Sequence, residues 1–205
     1  MHGPDPTHYL FWLTSRAAGV TAFALASVSV GLGLTMAGRL ARGPGRAKLL
    51  RAIHEQTALG ALIAIVVHGV ALLGDRWMHP GVVGISVPFA MGYRPLATGI
   101  GIIAGYLAAL LGLSFYARRR IGARLWRKAH RFTVAVWLLA AIHAITAGTD
   151  ASTPWMRAIL VASAVPIAGL FAARLAGGRR KRRPAVAPAR EARAGRAGLA
   201  AETAS

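Results

Sequence analysis

Apolar residues fall along this chain in five long runs, separated by short segments crowded with arginine, glycine or proline. The runs cover residues 10–37, 54–73, 96–116, 129–147 and 155–175. About 20 apolar residues at 1.5 Å each cross a hydrocarbon core about 30 Å thick. The expected fold is therefore an all-α integral membrane bundle of five transmembrane helices. Pro166 lies inside the fifth run, where a kink is expected. Residues 1–9 are short and polar, with no positive residue before Arg16. They read as an outer N-terminus ahead of a retained first helix, not as a signal peptide. Residues 74–95 form a longer Gly- and Pro-rich connection whose apolar part, 82–91, is expected at the membrane interface. Residues 176–205 hold mostly Arg, Ala, Gly and Pro, a composition expected to give a disordered, basic cytoplasmic tail.

Charge then orients the bundle. The loop after the first helix carries 5 basic residues, the loop after the third 7, and the tail from Arg174 carries 9. The alternate connections carry almost none: Arg76 and Arg94 in one, Arg157 in the other. By the positive-inside rule the N-terminus is outside and the C-terminus is in the cytoplasm. The expected location is the cell inner (plasma) membrane.

Composition sharpens this picture. Of 205 residues 55% are hydrophobic, and the mean hydropathy is +0.49, outside the range of an ordinary soluble domain. With no cysteine, disulfides, thiolate metal sites and iron–sulfur clusters are excluded. A net charge of +19 suggests a nucleic-acid partner at first sight. The cations lie between the apolar runs, however, and the tail has no interleaved aromatics, so no nucleic acid is expected.

Four histidines carry the candidate chemistry. His54 and His130 each sit beside a basic cluster, and His68 and His143 lie deep in the same two apolar runs. The second and fourth helices both run from inside to outside, so His54 and His130 share an inner level and His68 and His143 an outer one. Ionisable groups inside a membrane are costly and usually functional, although a lone histidine there also serves as an interhelical hydrogen-bond donor. Each level offers two imidazoles, too few for zinc. Two axial imidazoles do suit a haem iron, whose porphyrin supplies the other four donors. One feature resists a straight helix. The 14 residues from His54 to His68 return to within about 40° of one face, whereas the 13 from His130 to His143 miss by about 140°. A π-bulge or similar irregularity is expected in the fourth helix.

Arg16 admits two readings, a side chain snorkelling to the outer interface or a counter-charge for a propionate of an outer haem. Trp12, Phe132 and Trp137 fit either pocket lining or ordinary packing, and His79 and Asp150 read as outer loop residues.

At these residues the chain resembles the ferric reductase-like transmembrane family. This family includes the membrane parts of ferric-chelate reductases and NADPH oxidases, and the haem partner of a periplasmic methionine sulfoxide reductase. The likeness rests on His54…His68 and His130…His143, on Trp126-Arg-Lys-Ala-His130-Arg131, and on Thr14-Ser-Arg16-Ala-Ala-Gly19. His143-Ala-Ile-Thr-Ala-Gly-Thr-Asp150, Val87-Pro-Phe89 and Tyr93-Arg-Pro95 are similar to small bacterial members. The resemblance covers residues 10–175. It implies two b haems, held by His54 with His130 and by His68 with His143, relaying electrons from a cytoplasmic donor to an outer acceptor or partner protein. Many members have six helices, and the larger ones add a flavin and nicotinamide domain. No G-x-G-x-x-G fingerprint follows the fifth helix here, so the expected donor is a separate flavoprotein reductase or a quinol. The basic loops and tail are expected to meet anionic lipid or an acidic reductase. Two rival readings remain at this point: a single-haem cytochrome of the same family, and a non-redox channel or transporter with core histidines.

Overall fold

The computed structural model describes residues 9–38 and 43–182. Their regular structure is helical throughout: α1 (Leu10–Ala37), α2 (Pro44–Ala71), α3 (Gly81–Ser86), α4 (Pro95–Ile121), α5 (Ala123–His130), α6 (Thr133–Ala147) and α7 (Pro154–Arg182). Five segments are long and apolar enough to cross a membrane: Leu10–Ala37, Gly45–Gly74, Pro95–Ile121, Ala123–Ala147 and Pro154–Ala176. The expected five-span, all-α membrane bundle is thus observed, and the protein is a multi-pass membrane protein.

Two boundaries differ from the hydropathy reading. The second helix begins at Pro44, not near residue 54. Gly43 turns the chain at φ 97°, proline opens the helix with a φ suited to its first turn, and Lys48 and Arg51 continue it as good helix formers. The fourth span is two helices, α5 and α6, parted by a non-helical step at Arg131–Phe132. An irregularity therefore lies between His130 and His143, as a helix break instead of a π-bulge. By contrast, α7 runs through Pro166 without interruption. Most of the basic tail lies outside the described residues.

α1 is the central strut. It packs along α2 and also meets α6 and α7, while α4 packs along α6. Phe23 of α1 stacks on Trp137 of α6, with ring centres 5.8 Å apart. Trp137 Nε1 donates to Ser27 Oγ at 2.8 Å, and Ser27 Oγ donates in turn to the Phe23 carbonyl at 2.7 Å. Leu34, Ala141 and Ile167 complete this buried cluster. Elsewhere the helices face outward with apolar side chains: Ile63, Val66, Leu110 and Val165 are each more than 60% exposed. A collar of that kind is tolerable only against lipid.

The 74–95 connection is ordered. Buried Asp75 accepts hydrogen bonds from the Trp77 and Met78 backbone N–H groups, and the Phe89 ring lies where a Cβ on Gly99 would stand. Arg94 Nη1 donates to the Thr146 carbonyl at 2.6 Å, tying this connection to the end of α6. His79, an expected loop residue, is exposed here.

Truncating the central aromatic should be costly. Trp137→Ala is expected to lower stability by about 3 kcal/mol, or roughly 10 °C in melting temperature. Trp137→Phe, which keeps the stacking surface, should lose less than half of that when both are melted in the same detergent.

Candidate functional site

The imidazoles of α2 face those of α5 and α6 at two levels. His54 and His130 have ring centres 6.2 Å apart with planes at 87°. His68 and His143 are also 6.2 Å apart, at 74°. The pairing drawn from topology is therefore the pairing in space, and α2 and α6 run parallel. Yet α2 packs chiefly on α1, and α6 on α4 and α1. The histidine-bearing helices stand as facing walls, bridged at each level by two rings.

What aims the rings comes from behind. His68 Nδ1 lies 2.8 Å from the Ser15 carbonyl oxygen and 3.0 Å from Ser15 Oγ. The serine hydroxyl in turn donates to the His68 carbonyl at 2.9 Å. One level along, His54 Nδ1 lies 2.8 Å from the Ser29 carbonyl and 3.0 Å from Ser29 Oγ, and Ser29 donates to the His54 carbonyl at 3.3 Å. His143 Nδ1 lies 2.8 Å from the Ala97 carbonyl on α4. A carbonyl only accepts, so the ring proton of each of these three sits on Nδ1 and Nε2 keeps its lone pair. That is the tautomer of a metal ligand held by its back nitrogen.

Glycine makes the approach possible. A Cβ on Gly19 would stand 2.9 Å from His68 Nδ1, and one on Gly33 3.4 Å from His54 Cε1. A Cβ on Gly101 would overlap the His143 ring. Each glycine lies four residues after the accepting carbonyl: Ser15 and Gly19, Ser29 and Gly33, Ala97 and Gly101. The fourth imidazole departs from this design. His130 Nδ1 is buried and makes no hydrogen bond of ordinary length and angle; the Leu111 backbone faces it only as a loose contact. Instead Trp126 stacks on the His130 ring, centres 4.9 Å apart, and Phe115 packs against Trp126 at 5.9 Å.

Among the described residues, no group of three or more His, Cys, Asp or Glu could hold an ion. The donor set is two pairs of imidazoles, and a pair suits a group that brings its remaining donors with it. Two imidazoles bound to one metal at about 2 Å each have ring centres about 6 Å apart, as both pairs have here. The residues present fit such a group at either level.

Beside the 68/143 level, Arg16 forms a two-pronged ion pair with Asp150, through Nε and Nη2. Its guanidinium also lies 4.9 Å over the Trp12 ring. The Arg16 side chain is 34% exposed and that of Asp150 12%. Sequence reasoning missed this pair, taking Asp150 for a loop residue; the partners are 134 positions apart, and no local pattern joins them. It also missed Ser15, Ser29 and the glycines, although their signal was present. Ser-x-x-x-Gly occurs three times in α1, from Ser15, Ser27 and Ser29, and the first and last lie 14 residues apart, which is the spacing of His54 and His68. Of the proposed lining aromatics, Trp137 is core packing, Phe132 is exposed and Trp12 partners Arg16.

Removing one member of the ion pair leaves a half-buried charge unmatched. Asp150→Asn is expected to lower the melting temperature by roughly 5 °C, about 2 kcal/mol after allowance for solvent screening at Arg16. The double variant Arg16→Met/Asp150→Leu should recover most of that loss in the same thermal melt.

Comparison with known proteins places the chain in a family. A family model described as "Ferric reductase like transmembrane component" matches residues 18–141. The match begins just after Arg16, takes in His54, His68 and His130, and ends two residues before His143. No curated protein and no solved structure matches the chain. With more than half of its length matched, across four of the five spans, the chain belongs to the ferric reductase-like transmembrane component family.

Proposed function

We propose that this membrane redox component is a di-haem cytochrome b, an electron-transfer subunit that carries electrons from a cytoplasmic flavoprotein or quinol to an acceptor on the outer face. The observation that carries the reading is the paired imidazoles: two levels, each with ring centres 6.2 Å apart, and three of the four rings tied through Nδ1 to a backbone carbonyl. His54 and His130 would hold the inner haem, and His68 and His143 the outer one. When bound, each haem would supply a one-electron iron couple suited to electron relay, held by one histidine pair.

The chain's own residues do the rest. Ser15, Ser29 and Ala97 fix ring orientation and tautomer before any ligand arrives, which lowers the cost of assembly. Apolar helices exclude water from the two levels, and Phe23 with Trp137 fills the core between α1 and α6. Arg16, paired with Asp150, stands beside the outer level with one guanidinium nitrogen outside that ion pair. It retains a donor for an outer propionate. The working unit spans residues 10–175, oriented with the N-terminus outside in the inner (plasma) membrane. The basic loops and the 176–205 tail would meet anionic lipid or an acidic reductase. A second reading, with one occupied haem at the outer pair, is favoured by one observation: His130 lacks the tether that the other three rings possess.

The test is an absorption spectrum of the detergent-purified protein, oxidised and dithionite-reduced, with haem quantified against protein. A b-type spectrum with two haems per chain is expected. One haem per chain would select the single-site version, and a colourless protein from haem-replete cells would sink the cytochrome reading. The glycines give a graded check. Gly101→Ala should lose most of the outer haem and Gly19→Ala less of it, while Gly33→Ala, beside His54, should cost only a small share of the inner haem, following the room each Cβ would find.

A further inference from the structure

The two levels are built unequally, and the inequality has a direction. At the outer pair both rings are tethered, His68 to the Ser15 carbonyl and hydroxyl and His143 to the Ala97 carbonyl. At the inner pair only His54 is. The cause is a register slip. On α4, Leu111 follows Ala97 by 14 residues, as Ser29 follows Ser15 on α1. His143 follows His130 by 13, with the Arg131–Phe132 break between them. The position four residues after Leu111 is Phe115, not glycine, and its ring fills the approach together with Trp126.

A hydrogen bond donated from Nδ1 gives the imidazole partial imidazolate character and makes Nε2 the stronger donor. A stronger donor favours the ferric over the ferrous state and lowers the reduction potential. Local charge acts in the same direction. Arg127, Lys128 and Arg131 lie on the inner side within three residues of His130, against one carboxylate, Glu55, which accepts from Tyr116 at 3.4 Å. At the outer level the Arg16 charge is matched by Asp150. Resting on the di-haem reading above, we propose that Ser15 and Ala97 act as positioning residues that make the outer centre the harder one to reduce, so that the untethered His130 leaves the inner centre as the higher-potential member. A protein reduced by one electron then keeps that electron on the cytoplasmic side. It is released outward only when a second electron arrives or an acceptor draws it.

The experiment is a potentiometric titration of the purified, haem-loaded full chain, followed optically. His68→Ala/His143→Ala should leave only the inner haem, and His54→Ala/His130→Ala only the outer. The inner-only protein is expected to have the higher potential, by roughly tenfold in equilibrium constant, about 59 mV for one electron. Equal potentials, or the reverse order, would overturn the proposal. Should either double variant fail to assemble, single serine variants with both haems present carry the test. Ser15→Ala removes one acceptor from His68 and should raise only the lower of the two potentials, narrowing the gap. Ser29→Ala should raise only the higher one, widening it. A merely structural role for these serines would change haem content without moving one potential selectively, and that result also counts against the proposal. A wild type holding one haem overturns it while leaving the cytochrome reading intact. A colourless wild type removes both.

Discussion

A carbonyl within a helix already accepts the N–H four residues on, so it takes a second donor only if the side chain at that later position is out of the way. The arrangement of the site depends on this constraint. Ser15, Ser29 and Ala97 each present such a carbonyl to an imidazole, and Gly19, Gly33 and Gly101 each leave the side open. Because the tether comes from α1 or α4, the histidines of α2 and α6 are aimed from behind and their free nitrogens point across the bundle. The helices that carry the histidines then need not pack on one another. α1 can hold both levels because the Ser15–Gly19 and Ser29–Gly33 stations repeat at the spacing of the α2 histidines, with the helices antiparallel.

Much of this was legible in the chain. Hydropathy located five spans, and the parallel course of the second and fourth followed from counting them. The pairing His54 with His130 and His68 with His143 followed from that. The 13-residue separation called for an irregularity, because a straight helix would point one ring the wrong way. It is met by a break, which α5 tolerates as a short basic helix hinged at Gly122, φ 89°. The helical start at Pro44 was hidden because a run of arginine and lysine reads as loop beside a membrane, although those residues are good helix formers. The tethers were hidden for another reason. Serine and glycine in a membrane helix read as packing, and their meaning appears only when α1 is laid against α2 in register.

Asp150 shows where pattern stops. A carboxylate in a short polar link carries no local sign that it will be buried, and its partner Arg16 lies near the other end of the chain. The two meet because α1 packs against α6 and α7, bringing the start of α1 beside the α6–α7 link. Their mutual neutralisation lets a guanidinium sit beside the 68/143 level without imposing a net charge on it, while the 54/130 level, near the basic loops, has Glu55 as its nearby carboxylate.

The same economy explains why α4 could not simply repeat α1. Each hairpin pairs a helix of acceptors with an antiparallel helix of histidines, and the α1–α2 hairpin keeps both stations in register over 14 residues. In the second hairpin the break at Arg131–Phe132 shortens the histidine spacing by one and leaves His130 with only a loose contact to the Leu111 backbone. Phe115 and Trp126 then cover the ring with aromatic surface instead of a hydrogen bond. Three of the four rings are oriented through Nδ1 by a backbone carbonyl, and the fourth chiefly by aromatic packing. The two histidine pairs therefore differ in what aims their rings, although their residue types are identical.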